Sequence, residues 1–315
     1  MHLQKDRFPF SCRDNVEYPI PGILGIPETA KGEIDGFVYT DYNSVINAYF
    51  FRSLTMMAEI AKVLKNNDDM TLFQDKANTV KQNFNKHFFM KNKKVYRDGI
   101  GTDHSSLHAN MFALCFELVP EEHINSVMEF IKTRGMACSV FGSQFLLDAI
   151  YLSNDGSYGL ELMTATNNRS WAHMMYDTGS TITLEAWDRK YKPNLDWNHA
   201  WGAAPANIIP RRLIGIEPLL PGFKKVRIKP QIGNLKWINS QFPTIKGDIT
   251  VEIKNKPKQK FLIVIEVPLN VELELWLPFW KNNLQITQNG KAIKARIHNH
   301  FAIIENAFSA TYKIE

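Results

Sequence analysis

A chain of 315 residues exceeds what one hydrophobic core usually supports, so about two domains are expected at the usual ~100–200 residues each. Hydrophobic residues at 44% and charged residues at 22% exclude disorder as the main state. The formal charge of +5, from 37 basic against 32 acidic residues, is scattered along the chain, which argues against a nucleic-acid surface; no apolar run nears the ~18 residues of a membrane span.

From Asp41 the pattern is helical: Val45, Ala48, Tyr49, Met56, Ile60, Val63 and Leu64 recur at near-helical spacing. Asn66 to Asp69 break this segment, and Phe73, Ala77, Val80, Phe84 and Phe88 then form one apolar stripe, so the two segments read as a helical hairpin. Further helices are expected over 107–119, over 120–131 with Gly135 as a stop, and over 141–152, 158–164, 171–176 and 200–213. Beyond Pro218 short alternating runs such as Ile249–Val251–Ile253 and Val271–Leu273–Leu275–Leu277 predict strands. Asn289–Gly290 between two such runs is a hairpin signal, because both residues tolerate positive φ. The expected organisation is an irregular lead-in over 1–40, a helical domain over 41–217 and an antiparallel β-sandwich over 218–315.

Cys12, Cys115 and Cys138 have neither metal-ligand spacing nor an even count. The basic runs at 91–94 and 254–260 lie in polar, turn-like sequence and read as solvated surface. The N-terminal segment lacks a signal-peptide core; the chain as given reads as cytoplasmic, its true compartment being unknown.

Chemistry gathers between Trp171 and Trp201. Four of the seven tryptophans lie there, with Glu185, Asp188, Asp196 and His199 among them. Indole faces stack on sugar rings while carboxylates and imidazole bond hydroxyls, so the mixture suits a carbohydrate cleft, although a tryptophan cluster also builds cores. His104 and His108 share a helical face, but no zincin pattern accompanies them, and capping explains them better than zinc. Neither a metal nor a cofactor is expected.

The run Gly179-Ser-Thr-Ile-Thr-Leu-Glu185-Ala-Trp187-Asp188, continued by Lys192-Pro-Asn-Leu-Asp196-Trp197-Asn-His199-Ala-Trp201-Gly202, resembles the signature of bacterial α-L-rhamnosidases, glycoside hydrolase family 78. Asp35-Gly36-Phe37, His104 to Phe112 and Pro221-Gly222-Phe223 agree with it in order, over about 14–250. The resemblance implies a six-hairpin (α/α)6 toroid followed by a β-sandwich, and inverting hydrolysis of terminal α-L-rhamnosides. It makes Glu185 the general base and puts the Asp35 turn at the barrel mouth; beside these, Trp187 and Trp197 are candidate cleft walls, His199 is a candidate hydroxyl contact or a structural histidine, and Asp188 is a further candidate near the sugar. Asp35 before Gly36 is equally a turn former. An inverting enzyme needs a second carboxyl group about 6.5–9.5 Å away, and the family carries that acid upstream of everything present here.

Seven or eight helices are read where a six-hairpin toroid has twelve, so four or five are expected to precede Met1. Either a missing N-terminal portion or self-association is expected to complete the toroid. Two other readings stay open: another (α/α)6 glycosidase, such as an unsaturated glucuronyl hydrolase, with Arg211–Arg212 as its carboxylate clamp, and a non-catalytic carbohydrate-binding remnant.

Overall fold

The computed structural model describes residues 3–5, 33–281 and 284–315. Cys12, most of the lead-in and the start of the family-like stretch lie outside them. The chain forms two compact units, Met1–Ser153 with Leu162–Ala204, and Asn154–Glu161 with Pro205–Glu315. Composition changes near 217, whereas packing gathers 205–217 and a short upstream segment with the strands.

The first unit opens on a helical hairpin, α1 (Ser44–Val63) and α2 (Asn67–Phe88). Asn43 and Asn66 cap the two helices by accepting from the backbone N–H groups of Ile46 and Asp69, satisfying donors that a helix start leaves open. The α2 stripe packs inward as read, with Ala77, Val80, Phe84 and Phe88 buried; each phenylalanine contributes about 1.5–3 kcal/mol by leaving water. On α1 the outcome differs. Val45 and Ala48 are buried, but the inward face continues through Phe51, Leu54, Ala58 and Ala61, while Met56, Ile60, Val63 and Leu64 are exposed. The helix is apolar on two sides, which periodicity alone reads as one stripe.

A small hairpin, β1 (Phe89–Met90) with β2 (Val95–Tyr96), makes the basic run 91–94 its turn, Lys94 taking φ 56°. Next come α3 (Leu107–Cys115), capped by Ser106, and α4 (Glu121–Arg134), which ends at Gly135 with φ 58°, a left-handed position that glycine adopts without penalty. α5 (Val140–Leu152) is capped by Ser139, and Phe145 meets Tyr49 and Phe112 at ring distances of 5.8 and 5.1 Å. α6 (Gly156–Met163) and α7 (Trp171–Tyr176) follow. The helix expected over 200–213 is instead three pieces: a 3-10 turn Ala200–Ala203, α8 (Ala204–Ile208) and a π-turn Ile209–Leu213. Pro210 explains the widening, since it lacks an N–H and crowds the carbonyl one turn back.

The second unit holds two sheets. One runs β10 (Lys291–Ala292), β9 (Ile286–Gln288), β13 (Ala310–Ile314), β7 (Lys260–Glu266), β6 (Ile249–Lys256), β5 (Trp237–Phe242). The other runs β11 (Arg296–His298), β12 (Phe301–Ala307), β8 (Glu272–Pro278), β4 (Lys225–Ile228), β3 (Ile216–Pro218). Burial alternates along the strands, with Ile249, Val251 and Ile253 inward on β6 and Leu273, Leu275 and Leu277 on β8, so each sheet has one apolar face. Asn289 and Gly290 take φ 49° and 79° where Gln288 pairs Lys291. One described pairing departs from the antiparallel expectation: β4 lies parallel to β8. Among the described residues no helix is long and apolar enough to cross a membrane.

Candidate active site

The loop between α7 and the 3-10 turn is pinned at its base by two chain segments running side by side. Glu185 N–H donates to the Asp196 carbonyl at 3.1 Å, and His199 N–H donates to the Thr183 carbonyl at 2.9 Å. The Thr183 hydroxyl donates to the His199 carbonyl at 2.8 Å. A Cβ on Gly202 would come within 2.6 Å of the Leu184 carbonyl oxygen, so only glycine lets the returning chain pass so close. Beyond the pin the loop turns on Asp188, whose carboxylate accepts from Lys190 N–H at 2.9 Å in an Asx-type turn.

Glu185 sits at the pin with its side chain 8% exposed. One carboxylate oxygen accepts from Asp196 N–H at 2.9 Å, and the other meets the ammonium of the buried Lys192. Burial pushes the Glu185 carboxyl up, but the Lys192 hydrogen bond, the Asp196 N–H and the charges of Lys192 and His199 outweigh it and hold the group below its ordinary value. Glu185 is therefore ionised at neutral pH, the state in which a carboxylate accepts a proton.

His199 lies beside it. Its Nδ1 is 3.9 Å from the Asp196 carboxylate, and its buried Nε2 has no hydrogen-bond partner among the described residues. Trp201 meets the imidazole edge to face at 5.0 Å and is 51% exposed, while Trp197 is 45% exposed. Glu185, Asp196 and His199 each bring one atom able to bind a metal within 4.8 Å of the others, the single such group among the described residues. The Lys192 ammonium already supplies positive charge there, and a cation would have to displace it.

The remaining sequence candidates are engaged elsewhere. Trp187, read as a cleft wall, is fully buried: its indole donates to the Cys138 carbonyl at 2.7 Å and packs edge to face on Trp171 at 5.0 Å. It is a core anchor with no face to offer a sugar. Trp171 is likewise buried and donates to the Gly202 carbonyl at 2.6 Å. Asp188 accepts from His173 Nε2 at 2.7 Å, while His173 Nδ1 meets Asp177 at 2.6 Å; burial, which would raise the Asp188 carboxyl, is outweighed by Lys190 N–H and His173. Asp35 takes φ 50° and accepts from Leu107 N–H at 2.6 Å and from Nε and Nη2 of the Arg134 guanidinium, tying the turn to the start of α3. His104 precedes that helix and bonds Asp98 at 2.5 Å. Arg212 pairs with Glu217 at 2.6 Å and Arg211 bonds Asn207 at 3.1 Å, so the pair is not an open clamp.

Sequence reading misses the part played by Lys192 and by the Asp196 backbone. Both follow Glu185 in the run that carried the resemblance, but only the fold reveals the ion pair and the pin.

Residues 27–213 match the bacterial α-L-rhamnosidase 6 hairpin glycosidase domain, and residues 215–292 match the bacterial α-L-rhamnosidase C-terminal domain. The chain belongs to the bacterial α-L-rhamnosidase family. It is 26% identical over 254 residues to an α-L-rhamnosidase of Alteromonas sp. (strain LOR), covering 76% of this chain and 27% of that protein. It is 24% identical over 288 residues to one from Formosa agariphila, covering 87% and 29%. Among solved structures, the α-L-rhamnosidase from Dictyoglumus thermophilum superposes with a TM-score of 0.72 at 21% identity, over 85% of this chain and 31% of that one. The Streptomyces avermitilis α-L-rhamnosidase complexed with L-rhamnose gives 0.71 at 20%, over 91% and 28%. The six-hairpin and sheet-rich architecture is thus the rhamnosidase fold, and the chain spans under a third of the rhamnosidases it matches.

Proposed function

We propose that this chain carries the general-base side of an α-L-rhamnoside hydrolase, with Glu185 deprotonating the water that attacks the anomeric carbon. The observation that supports it is the Glu185 carboxylate itself, held ionised by Lys192 and Asp196 N–H beside an imidazole nitrogen that has no partner among the described residues. His199 Nε2 then bonds a sugar hydroxyl, and Trp201 and Trp197 offer exposed aromatic faces for the ring. Asp196 does not serve as the opposing acid. Its nearest carboxylate oxygen lies within 4.8 Å of Glu185, too close for the gap of about 6.5–9.5 Å that accommodates an attacking water. Asp35 has both oxygens engaged by Arg134.

The test uses the full chain and a nitrophenyl α-L-rhamnoside. Glu185→Gln should remove any turnover while methyl α-L-rhamnoside still binds, because the amide keeps the shape and loses the proton acceptor. Turnover surviving this change would take Glu185 out of the mechanism. Rhamnoside binding with no turnover in either form would favour the carbohydrate-binding reading.

A further inference from the structure

A recess lies in the helical unit, lined by residues of the first compact unit. It is a cavity of about 290 Å³ whose walls include Arg134, Gly135, Asn167, Asn168, Arg169 and Tyr191, near the lower end of the ~300–1,000 Å³ typical of ligand pockets. Its two arginines are in different states. Arg134 is paired with Asp35 through its Nε and Nη2. Arg169 forms no ion pair with any described carboxylate: its guanidinium carbon lies 4.9 Å from the Tyr191 ring centroid, and its buried Nε has no hydrogen-bond partner among the described residues. Buried N–H donors nearly always find acceptors, and a guanidinium presents its donors as a planar fork that matches an oxyanion.

The loop that carries Arg169 is braced for such a task. The Asn167 side chain accepts from Arg169 N–H at 3.1 Å, and the Ser170 hydroxyl donates to the Asn167 carbonyl at 2.7 Å, so the arginine projects from a fixed turn. A Cβ on Gly135 would meet nothing within 4 Å, which leaves that wall open. Lys190, outside the cavity lining, reaches the Tyr191 ring at 5.1 Å while its ammonium lies 3.8 Å from the Asp188 carboxylate. Tyr191 is also the residue before Lys192, the partner of Glu185, so the cavity wall and the base share one loop.

We infer that this cavity is a subsite for an acidic sugar unit, its carboxylate or sulfate ester held by Arg169 while the ring rests against Tyr191 and the amides of Asn167 and Asn168 bond hydroxyls. The inference rests on the rhamnoside reading, which supplies the sugar chain whose neighbouring unit enters the cavity. It places an anionic saccharide, and not a neutral aglycone, next to the scissile residue.

Isothermal titration of the full chain tests it, with methyl α-L-rhamnoside as the independent probe of the Glu185 site. The cavity is probed with methyl β-D-glucuronoside, methyl β-D-glucoside and a glucoside 6-sulfate. At low salt one or both acidic probes should bind at least tenfold more tightly than the neutral glucoside, and the acidic probe that does so names the group as carboxylate or sulfate. Arg169→Gln should erase the preference and Arg169→Lys should keep part of it, because a point charge attracts the anion without the bidentate fork. Equal affinity for acidic and neutral probes, or a preference that survives Arg169→Gln in a variant with an unchanged circular-dichroism spectrum, would overturn the inference. So would inorganic sulfate binding as tightly as the sulfate ester, since that marks a bare anion site. Rhamnoside binding alongside any of these results leaves the rhamnoside reading standing; acidic-probe binding without rhamnoside binding sinks that reading instead.

Discussion

Lys192 decides how Glu185 titrates. Its ammonium is among the influences that hold the carboxyl below its ordinary value, so Lys192→Met should raise the Glu185 pKa and move the acid limb of any pH–rate profile to higher pH. A profile that does not move would show that Lys192 serves only packing. The same depression bears on stability. A carboxyl whose folded pKa is lowered contributes stability that is present above its unfolded pKa and lost as pH falls through the folded value. Acid unfolding should therefore begin at higher pH in Lys192→Met than in the wild type. The two tryptophans separate along the same line of reasoning. Trp187→Ala empties a fully buried site and should cost about 3–5 kcal/mol, a large share of the ~5–15 kcal/mol that holds a domain together. Trp201→Ala removes a half-exposed ring and should leave the melting temperature nearly unchanged while weakening methyl α-L-rhamnoside binding several-fold. Equal destabilisation by both would return Trp201 to the core.

Elements were legible where one local rule decided them. The α2 stripe at steps of four and three, the stop at Gly135 and the Asn289–Gly290 turn needed no knowledge of the rest of the chain. Misreadings arose where a residue's surroundings decided: α1 is apolar on two sides, Pro210 breaks a helix that the apolar pattern continues, and the parallel β4–β8 pair joins segments far apart in sequence. For the site, the run around Glu185 and His199 was legible by resemblance, whereas the direction of the Trp187 side chain depends on the Cys138 carbonyl, 49 residues away. Lys229, just after β4, is another property no local pattern shows. Burial lowers its ammonium to about 8, with Arg227 adding repulsion, although the rings of Trp276 and Phe301 lie 4.9 and 4.6 Å from it. The unfolded chain holds this proton up to the ordinary 10.5, so between about 8 and 10.5 the unfolded state binds more protons and stability rises with pH. Lys229→Met should remove that contribution. Urea melts at pH 7 and pH 10 should show the wild type gaining on the variant as pH rises; parallel changes in the two would mean that Lys229 is not titrating in this range.

At the scale of the whole chain the question is how much of a hydrolytic mechanism the described residues can carry. They supply an ionised carboxylate at Glu185, an imidazole nitrogen with no hydrogen-bond partner among the described residues, and half-exposed aromatic rings. Three of their carboxyl groups are unsuited to the opposing role: Asp196 is too near Glu185, Asp35 is held by Arg134, and Asp188 is held by His173. Leaving-group dependence tests that imbalance directly. Without an acid to protonate the departing oxygen, the rate depends on how well that oxygen carries negative charge, so only rhamnosides of acidic phenols should react. A dinitrophenyl α-L-rhamnoside should be hydrolysed by the chain in a Glu185-dependent way, a nitrophenyl rhamnoside far more slowly, and methyl α-L-rhamnoside should bind without being cleaved. Each general acid–base contribution is worth about 10²–10⁴-fold, which sets the size of the expected gap between activated and unactivated substrates. Comparable rates across the three would show that a proton donor opposite Glu185 is at work in this chain.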